Sequence, residues 1–172
     1  MPRFPKRTPS SAVGASRELL GDLMTRHGRL GDMVSTMAHS PALLDWYLQL
    51  NRAMRRTKLD RKIVELISIA VQARQGCDRC LRSHIAAAQA LGVYESTIEA
   101  ARQGTSPIPA IAAIIQFGLQ VSQEPAAITD AQIAELRSFG YSTREIADVV
   151  GVVSLNVLTG AFTLVAGLTR ED

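Results

Sequence analysis

The sequence predicts an all-α fold. Apolar residues recur at three- and four-residue intervals over most of its 172 residues, and Gly and Pro punctuate the periodic stretches where helices would stop or start. No run alternates apolar and polar residues between hairpin turns, which is what strands would require. Alanine, leucine and isoleucine are plentiful while aromatics are only 5%, a balance that suits helices better than strands.

Taken in order, residues 1–15 are rich in Pro, Ser and Arg and read as a loose N-terminal arm. Residues 16–172 read as one helical domain, a length that fits a single core. Ser16 is placed to cap a short helix through about Arg26, ended near Gly28. A second short segment covers about Asp32–Ala38. In "SPALLDWYLQLNRAMRR", Ser40 is an N-cap, Pro41 suits the first helical position, and Leu43, Leu44, Tyr47, Leu48 and Met54 keep roughly helical spacing. The next helix runs from about Asp60 to Gln75, with Gly76 as its stop, and another from Cys77 or Asp78 to Leu91, with Gly92 after it. A short helix lies in "ESTIEAARQG", and an apolar one in "SPIPAIAAIIQFGLQVSQ". Two capping boxes follow, Thr129-x-x-Gln132 and Ser142-x-x-Glu145, each opening a helix.

Val149–Leu168 is a run of twenty residues without a charge. Its length would permit a membrane span. Ser154, Asn156, three glycines, two threonines and the lack of a Trp or Tyr belt argue instead for burial in a protein centre or a homo-oligomer interface. Asn156 reads as a helix–helix hydrogen bond within that run.

Composition narrows the function. Hydrophobic residues are 47% and charged residues 20%, with a net charge of +3, ordinary for a globular protein. The basic cluster in "RAMRRTKLDRK" (Arg52–Lys62) lacks the long stripe and interleaved aromatics of a nucleic-acid surface and reads as a solvated helix end and turn. Residues 1–16 hold three prolines and no continuous apolar core, so no secretion signal is expected. Two cysteines at CxxC spacing without such a signal point to the reducing cytoplasm, where the pair serves catalysis or metal binding rather than static cross-linking.

That pair lies in "GCDRCLRSH". Cys77, Cys80 and His84 stand at i, i+3 and i+7, which at about 100° per residue places them on one narrow helix face. The start of a helix favours an anionic thiolate, with Arg79 and Arg82 adding positive potential. His84, one turn after Cys80, is a candidate proton acceptor. Glu65 lies on the preceding helix among Val64, Leu66 and Ile67, where a carboxylate must be paired, protonated or functional. If the two helices pack antiparallel across Gly76, Glu65 reaches His84 and orients it, giving a carboxylate, an imidazole and a thiol in series. The candidate catalytic residues are therefore Glu65, Cys77, Cys80 and His84. A zinc site built from the two cysteines, His84 and Glu65 is the main rival. The dithiol reading calls for no cofactor and no metal.

"ELISIAVQARQGCDRCLRSH" resembles the core motif of the AhpD-like alkyl hydroperoxidases, a branch of the carboxymuconolactone decarboxylase superfamily. In that motif a Glu is followed about a dozen residues later by CxxC, then by three residues and a His. Glu65, Cys77, Cys80 and His84 match it, and "AAAQALGVYESTIEAARQG" is similar to the family's continuation. The resemblance covers roughly residues 38–165. It implies an AhpD-like helical bundle, a homo-oligomer with the C-terminal apolar helix buried, and thiol-dependent reduction of organic hydroperoxides. It also implies that one thiolate attacks the hydroperoxide, the other cysteine resolves, and a dithiol reductant of lipoyl or thioredoxin type restores the enzyme. Within that mechanism Cys80, one turn from His84, is favoured as the attacking sulfur, with Cys77, nearer the helix tip and more open, resolving and meeting the reductant; the helix-dipole argument favours the reverse order. Neither nucleic acid nor membrane is an expected partner. The best-known peroxidase of the branch has a second histidine just before the second cysteine, where this chain has Arg79, which cannot relay a proton near neutral pH. A protein thiol–disulfide partner at the same site is the alternative activity.

Overall fold

The computed structural model describes residues 3–168, which among themselves contain helices and no strands. The chain forms two compact units, Met1–Ala53 with Phe162–Asp172, and Met54–Ala161. Among the described residues nine α-helices follow one another: α1 (Ala15–His27), α2 (Asp32–Met37), α3 (Pro41–Met54), α4 (Arg61–Gln75), α5 (Asp78–Ala90), α6 (Glu95–Arg102), α7 (Pro109–Gln123), α8 (Asp130–Ser138) and α9 (Thr143–Ala166). A 3₁₀ turn, Pro125–Ala127, joins α7 to α8.

In the larger unit α4 is the central element and packs against α5, α6 and α7. Leu66, Ile67, Ile69, Ala70 and Val71 are all buried on it, among Ile98 and Ala101 of α6, Ile114 and Ile115 of α7, and Val149, Val152 and Val153 of α9. Asp60 starts α4 by accepting the Lys62 N–H at 2.7 Å. Gly76 ends it in the left-handed region at φ 75°, where a side chain would be strained. Both expected capping boxes are present. Thr129 and Gln132 exchange bonds at the head of α8, and at the head of α9 the Glu145 carboxylate accepts from Ser142 N–H and Oγ–H while Ser142 Oγ accepts from Glu145 N–H. Asp148 of α9 receives the Thr57 hydroxyl at 2.8 Å and the Lys58 N–H at 3.0 Å, holding the turn before α4. The basic residues from Arg52 to Lys62 are exposed, as a solvated helix end requires.

The smaller unit buries Leu20, Met37 and Leu44. Ser40 caps α3 through the Leu43 N–H, at 3.3 Å. Ser16 does not cap α1. The helix begins one residue before it, after Gly14 at φ 55°, and Ser16 is fully buried with its hydroxyl unpaired. The arm expected to be loose is tied down over its described part. Arg3 N–H reaches Ala166 O at 2.8 Å, and its guanidinium reaches Leu164 O at 2.9 Å and Val165 O at 3.0 Å, so a cation completes the carbonyl end of α9. Phe4 lies between His39 and Phe162, Lys6 pairs with Asp32 at 2.8 Å, and Arg7 N–H bonds Ser35 O at 2.9 Å.

Among the described residues α9 is the helix long and apolar enough to cross a membrane. Within the larger unit its Val149, Val152, Val153, Asn156 and Gly160 point inward, while Val150 and Val157 remain 46% and 38% exposed. Asn156 is buried and makes the helix–helix hydrogen bond expected of it, its amide donating to Ser68 Oγ of α4 at 2.9 Å.

Candidate functional site

The Gly76 turn folds α5 back along α4, and that packing brings Glu65 and His84 into contact. His84 Nδ1 lies 2.7 Å from Glu65 Oε2. A carboxylate accepts only, so His84 Nδ1 donates to Glu65 Oε2. Both side chains keep partial access to solvent, 28% for His84 and 21% for Glu65. Glu65 is thus paired, which resolves the difficulty of a carboxylate in an apolar stretch.

Cys77 and Cys80 are joined in a disulfide, with their Cα atoms 5.3 Å apart. Cys77 is the N-cap of α5 and stands outside the helix, its carbonyl accepting the Leu81 N–H at 2.8 Å. Cys80 lies in the first turn, among the N–H groups that lack intrahelical partners and favour negative charge. Their exposure reverses the order expected from sequence. Cys77 is only 1% exposed, whereas Cys80 is half-buried. A helical wheel begun at Cys77 treats it as a member of α5; as a cap it has non-helical backbone and its side chain turns inward. Cys80, one turn before His84 on α5, is the more open of the two sulfurs. Arg74 and Arg82 are exposed nearby in sequence and Arg79 is half-buried.

Among the described residues no group of three or more His, Cys, Asp or Glu is placed to hold a metal ion. His27 ends α1 and His39 contacts Pro5 O at 2.8 Å, both apart from this cluster in sequence and role.

Residues 41–124 match the carboxymuconolactone decarboxylase family. Three solved structures share its fold. The crystal structure of an alkylhydroperoxidase AhpD core, an uncharacterized peroxidase-related protein from Ralstonia eutropha JMP134, superposes with a TM-score of 0.82 at 18% identity, covering 99% of this chain and 92% of that one. An uncharacterized peroxidase-related protein from Silicibacter sp. TM1040 gives 0.73 at 18% identity, covering 88% and 82%. The debrominase Bmp8, solved in complex with 2,3,4-tribromopyrrole, gives 0.67 at 19% identity, covering 87% and 81%. No curated protein sequence matches the chain. The carboxymuconolactone decarboxylase match covers α3 to α7, and so the whole Glu65–His84 and CxxC arrangement.

Sequence reading missed Ser68 and Gln72. They share a stripe of α4 with Glu65, within about 60° of it, and both are buried. Three polar residues on one stripe of a core helix was the available signal. Gln72 donates to Asn156 O at 2.9 Å and to Asn156 Oδ1 at 3.0 Å.

Proposed function

We propose that this protein reduces organic hydroperoxides with the Cys77–Cys80 dithiol, using His84 as the proton relay and Glu65 to position it. The observation that carries the reading is the 2.7 Å Glu65–His84 contact, made one helical turn from the more open cysteine. In the reduced protein His84 Nε2 takes the Cys80 proton. The thiolate attacks the terminal oxygen of the hydroperoxide, the O–O bond breaks, and the departing alkoxide takes the proton back and leaves as an alcohol. Cys80 is then a sulfenic acid. Cys77 sulfur attacks it, water leaves, and the disulfide forms. An external dithiol reduces that disulfide by exchange, so that hydroperoxide and dithiol yield alcohol, water and the donor's disulfide. Because Cys77 is buried, the donor engages Cys80, and Cys77 departs as the first thiolate. This differs from the arrangement in which Cys77 would meet the reductant. The similarity of residues 41–124 to the carboxymuconolactone decarboxylase family and the peroxidase-related names of the first two structural neighbours support the reading.

A homo-oligomer is part of the same proposal. The outward residues Val150 and Val157 of α9 are apolar, and a second copy of the chain is the surface proposed to cover them.

The test is a single-turnover thiol count. The reduced, metal-stripped protein is mixed with one equivalent of an organic hydroperoxide. Two thiols per chain are expected to disappear in step with alcohol formation. Cys80→Ser should abolish the reaction. Glu65→Gln should slow it by roughly tenfold to hundredfold, since it retains a hydrogen bond to His84 but loses the charge. Consumption no faster than that of a free thiol would reject the proposal.

A further inference from the structure

Gln72 is held at both ends. Its side chain, fully buried, donates to Asn156 of α9 twice, at 2.9 and 3.0 Å. Asn156 is fixed in turn by donating to Ser68 Oγ and to Val152 O, both at 2.9 Å. The main-chain carbonyl of Gln72 accepts two N–H groups, that of Gly76 at 3.0 Å and that of Cys77 at 3.2 Å. One residue therefore connects the interior of α9 to the backbone of the buried cysteine.

The arrangement carries a cost that packing alone would not require. The Oε1 atoms of Gln72 and Gln75 are buried without a donor, and both press on Gly160, where an added Cβ would collide with them. An apolar side chain at position 72 would fill the space without an orphaned acceptor. The amide supplies directed bonds of fixed length, which an apolar side chain cannot.

We propose that the Gln72–Asn156 clamp is a positioning device for Cys77 that sets the dithiol–disulfide equilibrium. It rests on the reading of Cys77–Cys80 as a redox couple. Reduction breaks the bond between the sulfurs but leaves Cys77 N–H tied to Gln72 O, so the thiol stays beside Cys80 at high effective concentration. Releasing the clamp lets Cys77 drift, disfavours ring closure and shifts the equilibrium toward the dithiol.

The experiment equilibrates the full chain with glutathione, in which the protein disulfide and two glutathione thiols exchange for the protein dithiol and glutathione disulfide. Wild type is compared with Gln72→Met, Asn156→Leu and Gly160→Ala, the last of which drives both glutamine amides from their seats. Each folded variant, verified by a cooperative thermal transition, is expected to favour the dithiol at least tenfold more than wild type, about 30 mV for a two-electron couple. Folded variants with the wild-type equilibrium would overturn the clamp while leaving the redox couple standing. A wild-type pair that fails to exchange at all would overturn both readings. Should the variants not fold, amide hydrogen exchange in the wild type decides: Cys77 N–H must stay protected after reduction, and exchange at the rate of an open loop would sink the proposal.

Discussion

The proposed mechanism gives the buried Cys77 and the half-open Cys80 different tasks, and that assignment is testable one residue at a time. If Cys77 only resolves, Cys77→Ser should still cleave one hydroperoxide per chain and stop with a sulfenic acid on Cys80, since no second thiol condenses with it. Trapping with a sulfenic-acid reagent, followed by mass spectrometry, should place the label on Cys80 in stoichiometric yield after one equivalent of peroxide. An unlabelled protein with peroxide unconsumed would show that Cys77 attacks first. Glu65 and His84 were legible from sequence because a carboxylate in an apolar stretch demands a partner and helix periodicity supplied one. The relative exposure of the cysteines was not legible. Periodicity describes residues inside a helix, and a cap is set by the turn before it, here Gly76 at φ 75°.

At the scale of elements, helix starts were the most readable feature, because a capping box writes itself into side chains three apart. The box at the head of α9 also makes a pH prediction. Hydrogen bonds from the Ser142 side chain and backbone hold the Glu145 carboxyl below its ordinary value, aided by its place in the first helical turn. A depressed folded pKa means that the stabilising contribution is present above the unfolded value and is lost as pH falls through the folded one. Wild type should therefore lose stability below about pH 4 more steeply than Glu145→Gln, which keeps an acceptor at that position but has no proton to gain. Ser142→Ala should cost about 1 kcal/mol at neutral pH. Chemical denaturation of the three proteins at neutral and acid pH measures both effects; parallel curves would remove Glu145 from the account. The start of α1 misled for the opposite reason. Ser16 has the right side chain, but Gly14 turns the chain one residue earlier, and a buried hydroxyl then replaces a cap. The capping preference of serine could not reveal which backbone would turn.

At the scale of the whole molecule, the all-helical architecture followed from periodicity and punctuation, whereas the division into two units and the tethered arm did not. Much of what ties the arm uses main-chain atoms, such as Arg3 N–H on Ala166 O and Arg7 N–H on Ser35 O, and main-chain partners leave no pattern in a sequence. The apolar run of α9 was visible at once, but its period mixes an inward face with an outward one. The inward face is accounted for by Val149, Val152, Val153 and Asn156. The outward face carries the last prediction. Burying a valine side chain is worth about 1.5 kcal/mol or more when complete, and a symmetric interface meets every substitution twice. Replacing both Val150 and Val157 by Asp would place four carboxylates in a two-fold contact, each without a partner and stripped of water. The double variant should accordingly shift the subunit dissociation constant by well over tenfold, about 1.4 kcal/mol per decade, and sediment as a smaller species than wild type at micromolar concentration. A wild-type chain that sediments as a monomer throughout that range would remove the homo-oligomer from the proposal and leave these valines as ordinary exposed apolar residues. Unaltered assembly of the double variant would place the subunit contact on another face.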